Sequence, residues 1–260
     1  MEPEMPTIKS FSSDINCLSR VLHADVIRLL GGEPLLNPAI TKFLAAAKAS
    51  GIADQVMVTT NGLLLHRVDD EFWEHVDSIL LNLYPGFELD KRLDRFQKQA
   101  QANGTQLWIN PVSTFRTIVV TAPHPMDWVT RKIFETCADV HISHCHMIHE
   151  GKLYKCAVPP FLPRYLSKLG IDDYDPALDG FDFHNAVDLY SNLRDYLTSR
   201  QPMEACRYCL GSLGKSQHHQ QIDKKYLSDP SLMHVTRDQH LDQRKLIGNL
   251  LMLGKINGCR

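Results

Sequence analysis

Four short apolar runs, at residues 26–30, 55–59, 78–83 and 106–110, recur along the first part of the chain with helical patterns between them. This strand-then-helix rhythm predicts parallel strands, because neighbours running the same way need a crossover to connect them. In the first crossover Asn37 is placed to cap a helix with Pro38 at its first position. Ile40, Phe43, Leu44 and Ala47 share one face of that helix, and Gly51 closes it. A later helix, residues 88–103, puts Leu89, Leu93, Phe96 and Ala100 on one stripe with Gly104 just past its end. An earlier one carries the segment 14–21.

Beyond Asn110 the periodicity weakens. The pattern predicts a strand at 115–121, a helix near 125–137, and a hairpin with arms 141–149 and 152–156 that turns at Glu150-Gly151. Residues 159–180, rich in Pro, Asp and Gly, read as a long loop ahead of an amphipathic helix at 185–199. Past Cys209 the chain is polar until a last apolar helix near 246–253. The organisation expected is α/β, with domains at 1–138, 139–215 and 216–260.

The chain has 260 residues, 43% of them hydrophobic, which is enough for a sizeable core. Twenty-eight basic side chains against thirty acidic ones leave a formal charge of −2, so nucleic acid and anionic membrane are not expected as main partners. No apolar run is long enough to span a bilayer. The opening Met1-Glu2-Pro3-Glu4-Met5-Pro6 lacks the basic start and apolar middle of a secretory signal. A cytoplasmic location follows as the expectation, and there seven cysteines are more apt to be free, catalytic or metal-bound than disulfide-paired.

In parallel α/β sheets, ligands gather at the carboxyl ends of strands. Gly31-Gly32-Glu33-Pro34 falls at the first such end. Two glycines let main-chain carbonyls come close to a ligand, and Glu33 can accept from an ammonium group in a charge-assisted hydrogen bond. Thr59-Thr60-Asn61-Gly62 occupies the next strand end, and Asn82 and Tyr84 the third. A tight turn with a solvated Glu33 would explain the first string alone; polar groups at three consecutive strand ends favour a ligand site.

The cysteines form a second constellation. Cys145 and Cys156 bracket the hairpin, with Gly151 at its turn, and the Cys206-x2-Cys209 pair follows. Four thiolates on two knuckles make a complete tetrahedral or cubane-type set. By spacing alone they suit structural zinc or an iron-sulfur cluster, with a chance set of buried thiols as the plain alternative. His144, His146 and His149 could replace a thiolate at zinc.

Leu-Leu-Gly-Gly-Glu-Pro-Leu-Leu, followed one helix later by Val-Thr-Thr-Asn-Gly, resembles radical S-adenosylmethionine (SAM) enzymes in residue identity and spacing over about residues 12–110. The resemblance implies a partial (β/α)6 TIM-like barrel in which Gly31, Gly32, Glu33 and Pro34 form the site for the methionine amino group of SAM. Thr60, Asn61 and Asn82 would lie near its ribose or carboxylate. A Cys, a Gly-x4-Cys hairpin and a Cys-x2-Cys placed after such a barrel resemble the twitch form of the SPASM domain. That implies one auxiliary [4Fe-4S] cluster on Cys145, Cys156, Cys206 and Cys209, and only Cys259 is left beyond them.

The family's Cys-x3-Cys-x2-Cys motif, which binds the cluster that cleaves SAM, does not occur in the sequence. Only Cys17 lies in the corresponding region. The expectation is therefore a chain that lacks the first barrel strand and its cluster loop, leaves the strand at 26–30 as a sheet edge, and has no radical activity by itself. A non-catalytic binding module and a zinc-stabilised α/β protein remain as other classes. Small molecules and peptides both suit this architecture as substrates, and fold does not choose between them.

Overall fold

A computed structural model of the chain describes residues 6–86, 89–219 and 234–248 and divides it into two units, Met1–Ser113 and Thr114–Arg260. In the first unit β1 (Ala24–Leu29), β2 (Ala53–Thr60), β3 (Ser78–Leu83) and β4 (Gln106–Pro111) pair side by side in that order, all parallel. Among the described residues β1 pairs with β2 alone and forms one edge of the sheet.

Strand alternation sorts the side chains. Val56, Val58, Ile79 and Leu81, joined by the half-buried Ile27, Leu29 and Leu107, pack into one core with the crossover helices. The alternate positions, including Val26, Thr59, Asn82, Trp108 and Asn110, belong to the opposite face, where Trp108 stays 55% exposed.

Four helices cover the core face, and two of them, the second and the fourth, follow predicted stripes. α1 (Ile8–Leu18) starts on Thr7, whose hydroxyl accepts the Ser10 N–H, and buries Ile15 and Leu18. α2 (Ile40–Ser50) buries all four predicted residues, Ile40, Phe43, Leu44 and Ala47, and ends on Gly51 in the left-handed conformation. It begins two residues later than expected, because Pro34–Leu36 forms a 3-10 turn and the Asn37 side chain accepts from Ala39 N–H rather than capping a helix at Pro38. α3 (Asp70–His75) lies between β2 and β3 and buries Phe72 and Trp73. α4 (Asp90–Ala102) lays Phe96 and Ala100 onto the same core, and the preceding Leu89 joins them. Burying a side chain such as Phe96 is worth about 1.5–3 kcal/mol.

The second unit is built from shorter pieces. β5 (Thr114–Arg116), shorter than the predicted strand, pairs antiparallel with β9 (Ser216–His218). Val120 packs in one core with Val129, Ile133, Leu210 and Leu213. These ties place the start of the second unit at Thr114, ahead of residue 138.

α5 (Asp127–Glu135) and the single turn α6 (Ala138–His141) lead to a sheet of β6 (Met147–His149), β7 (Lys152–Tyr154) and β8 (Phe181–Asp182). The hairpin turns where expected, with Glu150 and Gly151 both at positive φ, as a two-residue turn requires. Its first arm is shorter than predicted: residue 141 ends a helical turn, and His144 at positive φ bends the chain before β6 begins.

The predicted loop at 159–180 is in part a helix, α7 (Val158–Ser167). Pro159 and Pro160 sit in its first turn, where backbone N–H groups have no helical partner to lose, so these prolines start the helix rather than prevent it. α8 (Leu189–Thr198) follows, capped by the Asp188 side chain. Most of the predicted terminal helix, from residue 249 onward, lies outside the described residues. No helix among those described is long and apolar enough to cross a membrane.

Candidate functional site

Two places collect chemistry-bearing residues, one in each unit. In the first, the loop after β1 meets the end of β2 through Glu33. Its Oε1 accepts from the Thr60 hydroxyl at 2.7 Å and from Leu35 N–H at 3.1 Å, and its Oε2 accepts from Asn61 N–H at 2.9 Å. Three donors leave this carboxylate about one free lone-pair site. Glu33 therefore acts first as a strut between two strand ends, and most of the capacity expected for an ammonium ligand is already used.

Pro34 opens the 3-10 turn that carries this contact. The Thr60 hydroxyl also accepts from Gly62 N–H at 3.0 Å. Gly62 has φ +75°, and a Cβ there would collide with the Leu81 side chain, so a glycine is required at this point.

Gly31 and Gly32 differ from Gly62. Neither has a left-handed φ, and a Cβ built on either would meet nothing within 4 Å. Neither backbone conformation nor packing within the chain accounts for the pair. Both are exposed at the end of β1, and a side chain at either would stand in open space.

On the open face of the sheet Asn82 Oδ1 accepts from the Asn110 amide at 2.8 Å, joining the ends of β3 and β4. Asn110 was not singled out in the sequence; its register opposite Asn82 is what reveals it. The structure thus gathers Glu33, Thr60 and Asn61 directly, and places Asn82 at the same carboxyl end of the sheet.

The second place is a small hollow in the second unit, lined by Cys137, Cys156, Cys206 and Cys209 with Ile133, Phe134 and Met203 among the apolar side chains around them. Three of these thiols are the expected ones. The fourth is Cys137 rather than Cys145, which is exposed and absent from the lining.

The local fold gives the reason. Cys137 caps the break between α5 and α6 and faces the core with Phe134 and Val140. Cys145 follows His144, whose φ of +46° turns the chain at the surface before β6 begins. Cys137 looks in the sequence like the tail of a helix. The pattern Cys137-x13-Gly151-x4-Cys156, the same hairpin with a longer lead, was the available signal.

The Cys206-x2-Cys209 segment is a 3-10 helix, Glu204–Tyr208, running into Cys209. Gly211 N–H donates to Cys209 Sγ at 3.2 Å. His124, only 1% exposed, meets the Cys209 carbonyl through Nε2 at 2.7 Å. Burial pushes the thiols of Cys137, Cys156 and Cys206 up, that of Cys206 well up, and that of Cys209 up to about 12.

Burial disfavours the thiolate form of all four even though the Lys155 ammonium lies within electrostatic reach of Cys206; a metal centre supplies the positive charge that turns such groups into thiolates. Four cysteines are, by their chemistry, a donor set that a thiolate-ligated centre would use. No three Cys, His, Asp or Glu side chains among the described residues already stand close enough to hold a single ion. Loading would thus involve adjustment around the hollow.

No family model matches the chain. It is similar to the GTP 3′,8-cyclase of Chlorobaculum tepidum, 41% identical over 81 residues, a stretch that makes up 29% of this chain and 24% of that relative. The match spans about a quarter of the relative's length, and within that limit it supports the resemblance to the radical SAM superfamily.

Proposed function

We propose that the chain is a radical SAM-type protein whose first unit holds SAM at the carboxyl ends of β1–β3 and whose second unit carries one auxiliary [4Fe-4S] cluster. The parallel sheet is read as part of a (β/α)6 barrel, with the face bearing Asn82 and Trp108 turned toward its interior. Main-chain groups of Gly31 and Gly32 receive the methionine amino group, and Glu33 keeps that loop in place through Thr60 and Asn61. Asn82, steadied by Asn110, serves the ribose or carboxylate.

Cys137, Cys156, Cys206 and Cys209 are the ligands of the cluster, and Cys145 is not among them. The observation that carries this reading is the convergence on one hollow of four cysteines spread over more than seventy residues. When bound, the cluster supplies an electron-transfer or substrate-anchoring centre. The residues around it exclude water through Phe134, Ile133 and Met203 and donate one N–H to sulfur through Gly211.

Without a Cys-x3-Cys-x2-Cys motif, reductive cleavage of SAM is not assigned to these 260 residues. The relative's GTP chemistry is likewise not assigned to this chain, since the match covers a quarter of that protein.

Anaerobic reconstitution with ferrous iron and sulfide, followed by metal and sulfide analysis, tests the proposal. About four irons and four sulfides per chain are expected. About one zinc with no sulfide would replace the cluster by a structural zinc site. SAM titration by calorimetry tests the first unit, and binding that survives replacement of Gly31-Gly32 by valines would sink that part of the reading. The 5′-deoxyadenosine assay is expected to stay at the buffer background.

A further inference from the structure

Cys156 and the Cys206-x2-Cys209 segment reach the hollow from different elements, so something must hold them in register. One buried aspartate touches the supports of both, through its carboxylate on one side and its main-chain carbonyl on the other. Asp179, 5% exposed, accepts from Glu204 N–H at 2.6 Å through Oδ1 and from Ala205 N–H at 2.7 Å through Oδ2. These are the first two residues of the 3-10 helix that presents Cys206. Tyr174 donates its hydroxyl to Oδ2 at 2.8 Å.

On its other side, the Asp179 carbonyl accepts from the Tyr196 hydroxyl at 2.7 Å, and that same hydroxyl accepts from Lys155 N–H at 3.1 Å, one residue before Cys156. The Lys155 side chain is fixed as well: Nζ donates to the Ser199 carbonyl at 2.6 Å and lies over the rings of Phe134 and Tyr196. Phe134 itself lines the hollow.

We infer that Asp179 is a positioning residue for the thiol-lined centre, joining the 3-10 helix that carries Cys206 to the segment after β7 that carries Cys156, through its carboxylate on one side and its main-chain carbonyl with the Tyr196 hydroxyl on the other. The inference rests on the metal-centre reading above. A buried carboxylate is costly unless its oxygens are filled, and here backbone N–H groups fill them. Those N–H groups are unpaired donors of a helix start, so the carboxylate fixes the pitch at which Cys206 enters the hollow. Outer partners of ligand-bearing segments set ligand geometry, and their removal typically weakens metal binding by ~10–100-fold.

The test compares Asp179→Asn, Tyr196→Phe and Tyr174→Phe with the unaltered chain. Each is loaded with ferrous iron and sulfide, and separately with zinc, then challenged with a chelator. Asp179→Asn presents an amide NH2 to a backbone N–H; it should release metal ~10–100-fold faster and alter the visible and paramagnetic spectra of the loaded centre, with the metal-free melting transition still cooperative.

Tyr196→Phe cuts the link to Lys155 without disturbing the carboxylate. It should show the same kind of spectral change to a smaller extent, and it carries the test if Asp179→Asn does not fold. Tyr174→Phe, which leaves both helix N–H bonds in place, should stay close to the unaltered chain. Wild-type spectra and release rates in both Asp179→Asn and Tyr196→Phe would overturn the inference while leaving the metal site standing. Failure of the unaltered chain to bind either iron or zinc would overturn the site and the inference together.

Discussion

The strand-end site of the first unit and the thiol hollow of the second solve opposite problems. Glu33, Thr60, Asn61 and Gly62 satisfy one another through short hydrogen bonds, so that corner is complete without a ligand. Cys137, Cys156, Cys206 and Cys209 do not: their burial disfavours the thiolate form. The first corner is held by its own hydrogen bonds, and Gly31 and Gly32 beside it face open space. The second, on the proposed metal-centre reading, draws its charge from what it binds. A preorganised site loses stability when its struts are cut, whereas a site that depends on its occupant loses the occupant.

The sharpest break of that comparison is a cysteine replacement. Cys206→Ala or Cys137→Ala should abolish cluster loading, while Cys145→Ala should load like the unaltered chain; iron analysis after reconstitution checks both. Equal loss in Cys145→Ala and full loading in Cys137→Ala would restore the expectation from spacing.

A smaller effect is expected at the strut. Glu33→Ala leaves the Thr60 hydroxyl and the N–H groups of Leu35 and Asn61 without their acceptor, for a destabilisation of roughly 1–3 kcal/mol, read from the urea midpoint. Thr60→Val removes one bond to Glu33 and one from Gly62 N–H and should cost about 1 kcal/mol. No change in either would mean that Glu33 is kept free for a ligand after all.

The smallest effect concerns pH. His23 lies between the Asp54 carboxylate at 2.8 Å and the Gly51 carbonyl at 3.1 Å, and only the imidazolium can donate to both. The Asp54 hydrogen bond holds the His23 pKa above its ordinary 6.5. The native state therefore keeps its proton longer than the unfolded chain. This contribution to stability is fully present below about pH 6.5 and fades as the pH rises through the folded value. His23→Gln should remove that part of the pH slope in urea titrations, and an unchanged slope would sink the assignment.

The first unit was largely legible because its strands and helices each bury one face. Ile40, Phe43, Leu44 and Ala47 announce a helix at a 3.6-residue period, and the run at 78–83 coincides with β3. The second unit was less legible because its elements are short and its core is assembled from distant pieces. Proline at 159 and 160 reads as a breaker until the helix start is known. Asp179, in a Pro- and Asp-rich stretch, looks like any solvated loop residue until Glu204 and Ala205 are seen to donate to it.

By itself the sequence determined the parallel strand-helix order, the polar groups at three strand ends, the hairpin turn at Glu150-Gly151 and the grouping of Cys156, Cys206 and Cys209. These are local properties, set by periodicity, turn chemistry and spacing along the chain. Tertiary structure alone decided that Glu33 is spent on Thr60 and Asn61, that Asn110 partners Asn82, and that Cys137 rather than Cys145 lines the hollow with Cys156, Cys206 and Cys209. Each of those outcomes depends on where the chain returns after tens of residues, because hydrogen bonding and burial act over ångströms in space and take no account of distance along the sequence.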